Sequence, residues 1–125
     1  MRSSFFLIFC LIFTTLSFSQ IKQYKIGFLL DKNSNEIEGL LDELSNEISA
    51  VVGEDAIIVF PEGRTLINSF DATKALRNYN LLLHNDTDII IAFGIVNNAV
   101  ISKIGTYQKP TIVFGAVSEE LLTNE

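Results

Sequence analysis

The chain has little of what covalent or redox chemistry needs. Among its 125 residues are one cysteine, one histidine, two prolines and no tryptophan. Cys10 lies inside an apolar N-terminal stretch, so a chain that loses this stretch has no disulfide framework and no thiolate nucleophile. His84 stands alone near the end of a helical pattern, where the helix dipole favours a cation; it reads as a surface cap rather than a catalyst. No His, Cys, Asp and Glu cluster has metal-ligand spacing, and no GxSxG elbow, P-loop or GxGxxG occurs. Basic residues are few, 9 against 15 acidic, and they are scattered, which argues against a nucleic-acid partner. The expectation is a binding protein and not an enzyme, with no catalytic residue, no metal and no cofactor.

Long apolar runs are also lacking, except at the start. Residues 1–19 read as a signal peptide: Arg2 supplies the positive end, Phe5 to Leu16 form a short uncharged core, and Ser17 and Ser19 are the small residues before a cleavage site. The core falls short of the roughly 20 apolar residues that a membrane span needs. Ile8 and Phe9 precede Cys10 where a lipid-anchored protein needs small residues. The expected product is secreted across the inner membrane into the periplasm, as a single α/β lobe spanning residues 20–125.

What remains alternates strand and helix. Four apolar runs rich in β-branched residues, Tyr24 to Asp31, Ala56 to Phe60, Asp88 to Gly94 and Pro110 to Val117, are separated by helix-length segments. The first run is nearly all apolar, as in strands covered on both faces. Ile37, Leu40, Leu41, Leu44 and Ile48 recur at helical spacing, with Asn33 and Glu36 placed as a capping box and Gly53 as the stop. A second helix is expected from a cap at Ser69 or Asp71 through Leu83, and a third from Asn97 to Ile104. Pro61, Glu62 and Gly63 read as a loop. Right-handed crossovers then favour a three-layer parallel sheet with helices on both faces and strand order 2-1-3-4.

Open sheets of this kind bind ligands outside the carboxyl ends of their strands, where the strand order reverses. The candidate ligand-binding residues are therefore Asp31, Lys32 and Asn33 after the first strand, Gly94, Ile95 and Val96 after the third, and Gly115 and Ala116 after the fourth. Gly94 and Gly115 are single glycines, and each reads more simply as a tight turn than as a ligand contact. Asp31 holds the place of a phospho-acceptor in receiver domains, but the acidic cluster and lysine of that site are missing. Asn85-Asp86-Thr87 matches a glycosylation sequon and is more simply a turn between helix and strand.

The stretch DIIIAFGIVNNAVISKIGTYQKPTIVFGAV, together with the opening YKIGFLLD, resembles one lobe of type I periplasmic binding proteins, nearest to the substrate-binding group of ABC transporters. The resemblance implies a Rossmann-like half of a two-lobe protein. It also implies an exported solute-binding function, with a small polar ligand held by strand-end loops and helix amides, and a membrane transporter permease as partner in the complete protein. An extracytoplasmic sensing lobe of a signalling receptor shares the fold and stays open as an alternative, as does an exported α/β enzyme. The edge beyond the fourth strand lacks cover, so self-association through that edge is also expected.

Overall fold

The computed structural model describes residues 20–115. The expected signal peptide and Ala116 lie outside the described residues. The elements are β1 (Lys22–Leu30), α1 (Asn35–Val52), β2 (Ala56–Val59), β3 (Thr65–Ile67), α2 (Ala72–His84), β4 (Ile89–Phe93), α3 (Ile95–Ile101) and β5 (Thr111–Phe114). The five strands form one sheet in the order β2-β1-β4-β5, with β3 also paired to β1. Every described ladder is parallel.

The four-strand expectation of order 2-1-3-4 is thus corrected by a fifth strand. β1 is nine residues long, and two short strands share one of its sides. Lys22 to Lys25 pair with β2, and Phe28 to Leu30 pair with β3. Between the two, Pro61 and Gly63 make a turn closed by the Arg64 N–H on the Pro61 carbonyl, with Gly63 at a φ of 76°. Glycine tolerates that conformation without a Cβ clash. The Arg64 carbonyl already accepts from Phe28 N–H, so the chain rejoins the ladder at once. Thr65-Leu66-Ile67 is too short for its periodicity to be read from the sequence.

Helix boundaries follow local capping chemistry. Ser34, not Asn33, caps α1: its backbone is extended and its hydroxyl accepts from Ile37 N–H. Asn33 instead donates its side-chain amide to Glu38. Asp71 caps α2 by accepting from Lys74 N–H. Helix α3 begins at Ile95, two residues before the expected Asn97, and stops at Ile101.

The sheet is covered on both faces, but unequally. Leu29, Ile90 and Ala92 form a fully buried cluster with Tyr79 and Leu82 of α2 and Ile101 of α3. On the other face Ile26, Phe28 and Ile91 meet Leu41, Leu44 and Ile48 of α1. Helix α1 itself has no buried residue. An aromatic row crosses this second face: Phe60 stacks on Phe28 at 5.8 Å, and Phe93 stacks on Phe114 at 5.1 Å. Phe114 and Ile112 stay about half exposed on the outer strand.

Candidate functional site

The parallel ladders bring the carboxyl ends of β1 and β4 side by side, and with them Asp31 and Gly94. Asp31 is 5 % exposed. A buried carboxylate needs partners for both oxygens, because desolvation of an unpaired charge costs several kcal/mol. Asp31 finds them in neutral donors. One oxygen accepts from the Asn68 side-chain amide at 2.8 Å and from Asn97 N–H at 3.1 Å, and the other accepts from Val96 N–H at 2.8 Å.

This arrangement caps α3 from a distant strand. The cap residue, Gly94, has no side chain to offer, so the first turn of α3 lacks a local acceptor. Asp31 supplies it across 65 residues of sequence. The geometry requires glycine here: Gly94 has a φ of 109°, and an added Cβ would lie 2.2 Å from an Asp31 oxygen. The carboxylate occupies the space that a side chain at position 94 would fill.

Two buried asparagines complete the network. Asn68 and Asn97 are each 1 % exposed. Asn68 donates to the Asn97 side-chain oxygen as well as to Asp31, and it accepts from Phe70 N–H at 2.7 Å. Asn97 donates to the Phe93 carbonyl. Asn68 also extends the β3 ladder, its N–H meeting the Leu30 carbonyl. The network therefore joins β1, the segment after β3, and α3.

Asn68 holds a turn that is strained. Ser69 and Phe70 have φ values of 56° and 62°, in the left-handed region. For a non-glycine residue this costs on the order of 1 kcal/mol or more, and for a bulky side chain it is a true outlier. Phe70 recovers little of that cost by burial, being 57 % exposed. Its N–H is held by Asn68 and also approaches the Asp31 carbonyl at 3.2 Å. Backbone strain of this kind clusters at ligand sites.

Two cavities flank Phe70. One, of about 280 Å³, is lined by Lys32, Ile37, Phe70, Phe93 and Ile95 above Asp31 and Gly94. The other, of about 320 Å³, lies between Phe70, Ile95, Val96, Ala99 and Lys103. Ile95 is 56 % exposed and borders both. A third and more polar cavity, of about 490 Å³, sits at the opposite end of the sheet around Lys25, Asp86, Asp88 and Lys109. There Asp86 bridges Lys25 and Arg64, each at 2.5 Å.

The residues singled out from sequence thus sort into three groups. Asp31, Lys32, Gly94 and Ile95 share the first cavity, and Val96 joins Ile95 in the second. Asn33 is engaged by Glu38. Gly115 packs against α3, where an added Cβ would lie 3.2 Å from both the Gly94 carbonyl and the Asn98 amide. The sequence reading missed Phe70, Asn68 and Asn97. The one available signal was Asn97-Asn98 interrupting an apolar run, since asparagine inside such a run needs hydrogen-bond partners.

His84 ends α2, its Nδ1 at 2.8 Å from the Asn80 carbonyl. Among the described residues no group of three or more His, Cys, Asp or Glu is placed to hold a metal ion, and no helix is long and apolar enough to cross a membrane. Comparison with protein-family models, with curated proteins and with solved structures finds no match to this chain.

Proposed function

We propose that the chain is the ligand-binding lobe of an exported solute-binding protein, taking a small molecule at the carboxyl ends of β1 and β4. The observation that carries this reading is the cavity of about 280 Å³ over Asp31 and Gly94. It stands where β1 has β2 and β3 on one side and β4 on the other. That is where the strand order reverses and where open α/β sheets take their ligands. The buried network beneath it makes the floor rigid, and rigid floors lower the ordering cost of binding.

The finer fold assignment, a Rossmann-like half of a type I periplasmic binding protein, belongs to the same proposal. So do periplasmic location, a transporter permease as partner, and self-association through the β5 edge. The role of the strand-end groups is refined by the geometry. Asp31 is a positioning residue that fixes α3, because its oxygens are already met by three donors. Contact with the solute falls to Lys32, Ile95, Phe70 and the Gly94 backbone.

Thermal unfolding of the chain with a panel of amino acids, small sugars and organic acids tests the reading. A ligand present at 100 times its Kd stabilises the folded state by about 2.7 kcal/mol, a shift of several degrees for a domain of this size. At least one member of the panel is expected to give a saturable shift that Ile95→Asp removes. No shift with any member, or a shift that survives Ile95→Asp, would overturn the proposal.

A further inference from the structure

The solute-binding reading leaves the ligand class open, and the walls of the site narrow it. On the strength of that reading, we propose that the ligand is a small organic anion with a flat apolar body. The body lies against Phe70 and Ile95, and the anionic group meets Lys32.

The polar groups at the floor are spent on one another. The Asp31 carboxylate accepts the amides of Val96 and Asn97 and the side chain of Asn68, and Asn68 closes on Asn97. A sugar or other polyhydroxyl solute needs a matching set of donors and acceptors, and its desolvation is uncompensated against these walls. Phe70 and Ile95, by contrast, present apolar surface to both flanking cavities while more than half exposed. A flat ring system against Phe70 removes that surface from water and gains stacking.

The charge left at the rim is positive. Lys32 borders the first cavity and Lys103 the second, and neither joins an ion pair among the described residues. The neighbouring acids are held by the fold: Asp71 caps α2 through Lys74 N–H, Glu38 accepts from Asn33, and Asp31 at the floor of the first cavity is 5 % exposed with both oxygens on the amides of Val96, Asn97 and Asn68. In a chain of net charge −6, two lysines without acid partners beside one exposed aromatic favour an anion over a cation.

The backbone supplies an independent argument. Phe70 holds a φ of 62°, where glycine is relaxed and phenylalanine is not. Folding alone favours glycine at this exposed position. The aromatic ring is explained by what it touches outside the fold.

Titration of the full chain with 1-naphthoate, and in parallel with 1-naphthylmethylammonium, tests the proposal by calorimetry. Saturable binding of the anion is expected, with the cation weaker by about tenfold. Lys32→Glu should weaken naphthoate about fivefold and erase the preference for the anion. Phe70→Gly should unfold at a denaturant concentration no lower than the parent, yet weaken naphthoate about tenfold. Because that variant is expected to be at least as stable, lost binding cannot be put down to lost folding. Equal binding of anion and cation, or a folded Phe70→Gly chain of undiminished affinity, overturns the proposal. Binding of a sugar without naphthoate overturns the ligand class and leaves the solute-binding reading standing; binding of neither overturns both.

Discussion

The two ends of the sheet each hold an aspartate in a hydrogen-bonded cluster, and they solve the problem oppositely. At the carboxyl end Asp31 is buried and is met only by neutral amides, two of them from the first turn of α3. At the amino end Asp86 is 54 % exposed and is met by two cations, Lys25 and Arg64. Water can replace the partners of Asp86 when they are removed. Nothing replaces those of Asp31, since an unsatisfied buried group keeps its full desolvation cost. The carboxyl end is therefore where the fold is specified by single residues. Strain and apolar surface gather there too, at Phe70 and Ile95.

The largest effect is expected at Gly94. Gly94→Ala adds a Cβ at 2.2 Å from Asp31 in a backbone conformation that alanine does not adopt. Strain and overpacking together should cost on the order of 4 kcal/mol, read as a lower urea midpoint. Pairing it with Asp31→Ala sharpens the point: removing the carboxylate relieves the two closest contacts and leaves only the Asp31 Cβ at 2.9 Å, so the double variant should fall short of additivity by more than about 0.5 kcal/mol. Strict additivity would mean that the carboxylate and the glycine are independent.

Next comes Asp31→Ala alone. It leaves the amides of Val96 and Asn97 and the side chain of Asn68 without their acceptor, and should cost about 3 kcal/mol in urea unfolding. Asp86→Ala, the matching change at the other end, should lower the midpoint only slightly, by far less than Asp31→Ala. Equal losses at the two ends would break the comparison.

These contrasts show what the sequence could and could not convey. The strands β1, β4 and β5 were legible because each is a bounded apolar run, and their parallel direction followed from the helix-length segments between them. Asp31 and Gly94 were legible as neighbours, because parallel strands put their carboxyl ends together. Their relation was not: a carboxylate capping a helix 65 residues away leaves no local pattern, whereas Ser34 or Asp71 capping their own helices do. β3 was hidden because three residues cannot display a period, and its pairing depends on the turn at Gly63 returning the chain to β1. Phe70 was hidden because a positive φ at a non-glycine residue is imposed by surrounding contacts, here the Asn68 side chain on its N–H.

Asn68→Ala probes that imposed turn and should cost about 2 kcal/mol in urea. It removes the donor to Asp31 and the acceptor for Phe70 N–H, while Asp31 keeps its two backbone amides. Hydrogen exchange of the Phe70 amide should rise in the variant more than that of the β4 amides. A uniform rise across both would mean that Asn68 supports the whole domain and not this turn.

The smallest effect belongs to the exposed end and is read through pH. The hydrogen bond from Lys25 holds the Asp86 carboxyl below its usual value of 3.8; slight burial opposes this, and the charges of Lys25 and Arg64 add to it. A carboxyl depressed in the folded state stabilises the fold above the usual carboxylate range. That contribution disappears as the pH falls through the lowered folded value. The difference in urea midpoint between the parent and Asp86→Asn should therefore be small and constant near neutral pH, and should shrink toward zero below about pH 4. Raising the salt concentration at neutral pH should shrink it as well, since the group is exposed and its ion pairs are screened. A difference that grows on acidification, or one indifferent to salt, would place Asp86 with Asp31 among the buried determinants and erase the distinction between the two ends.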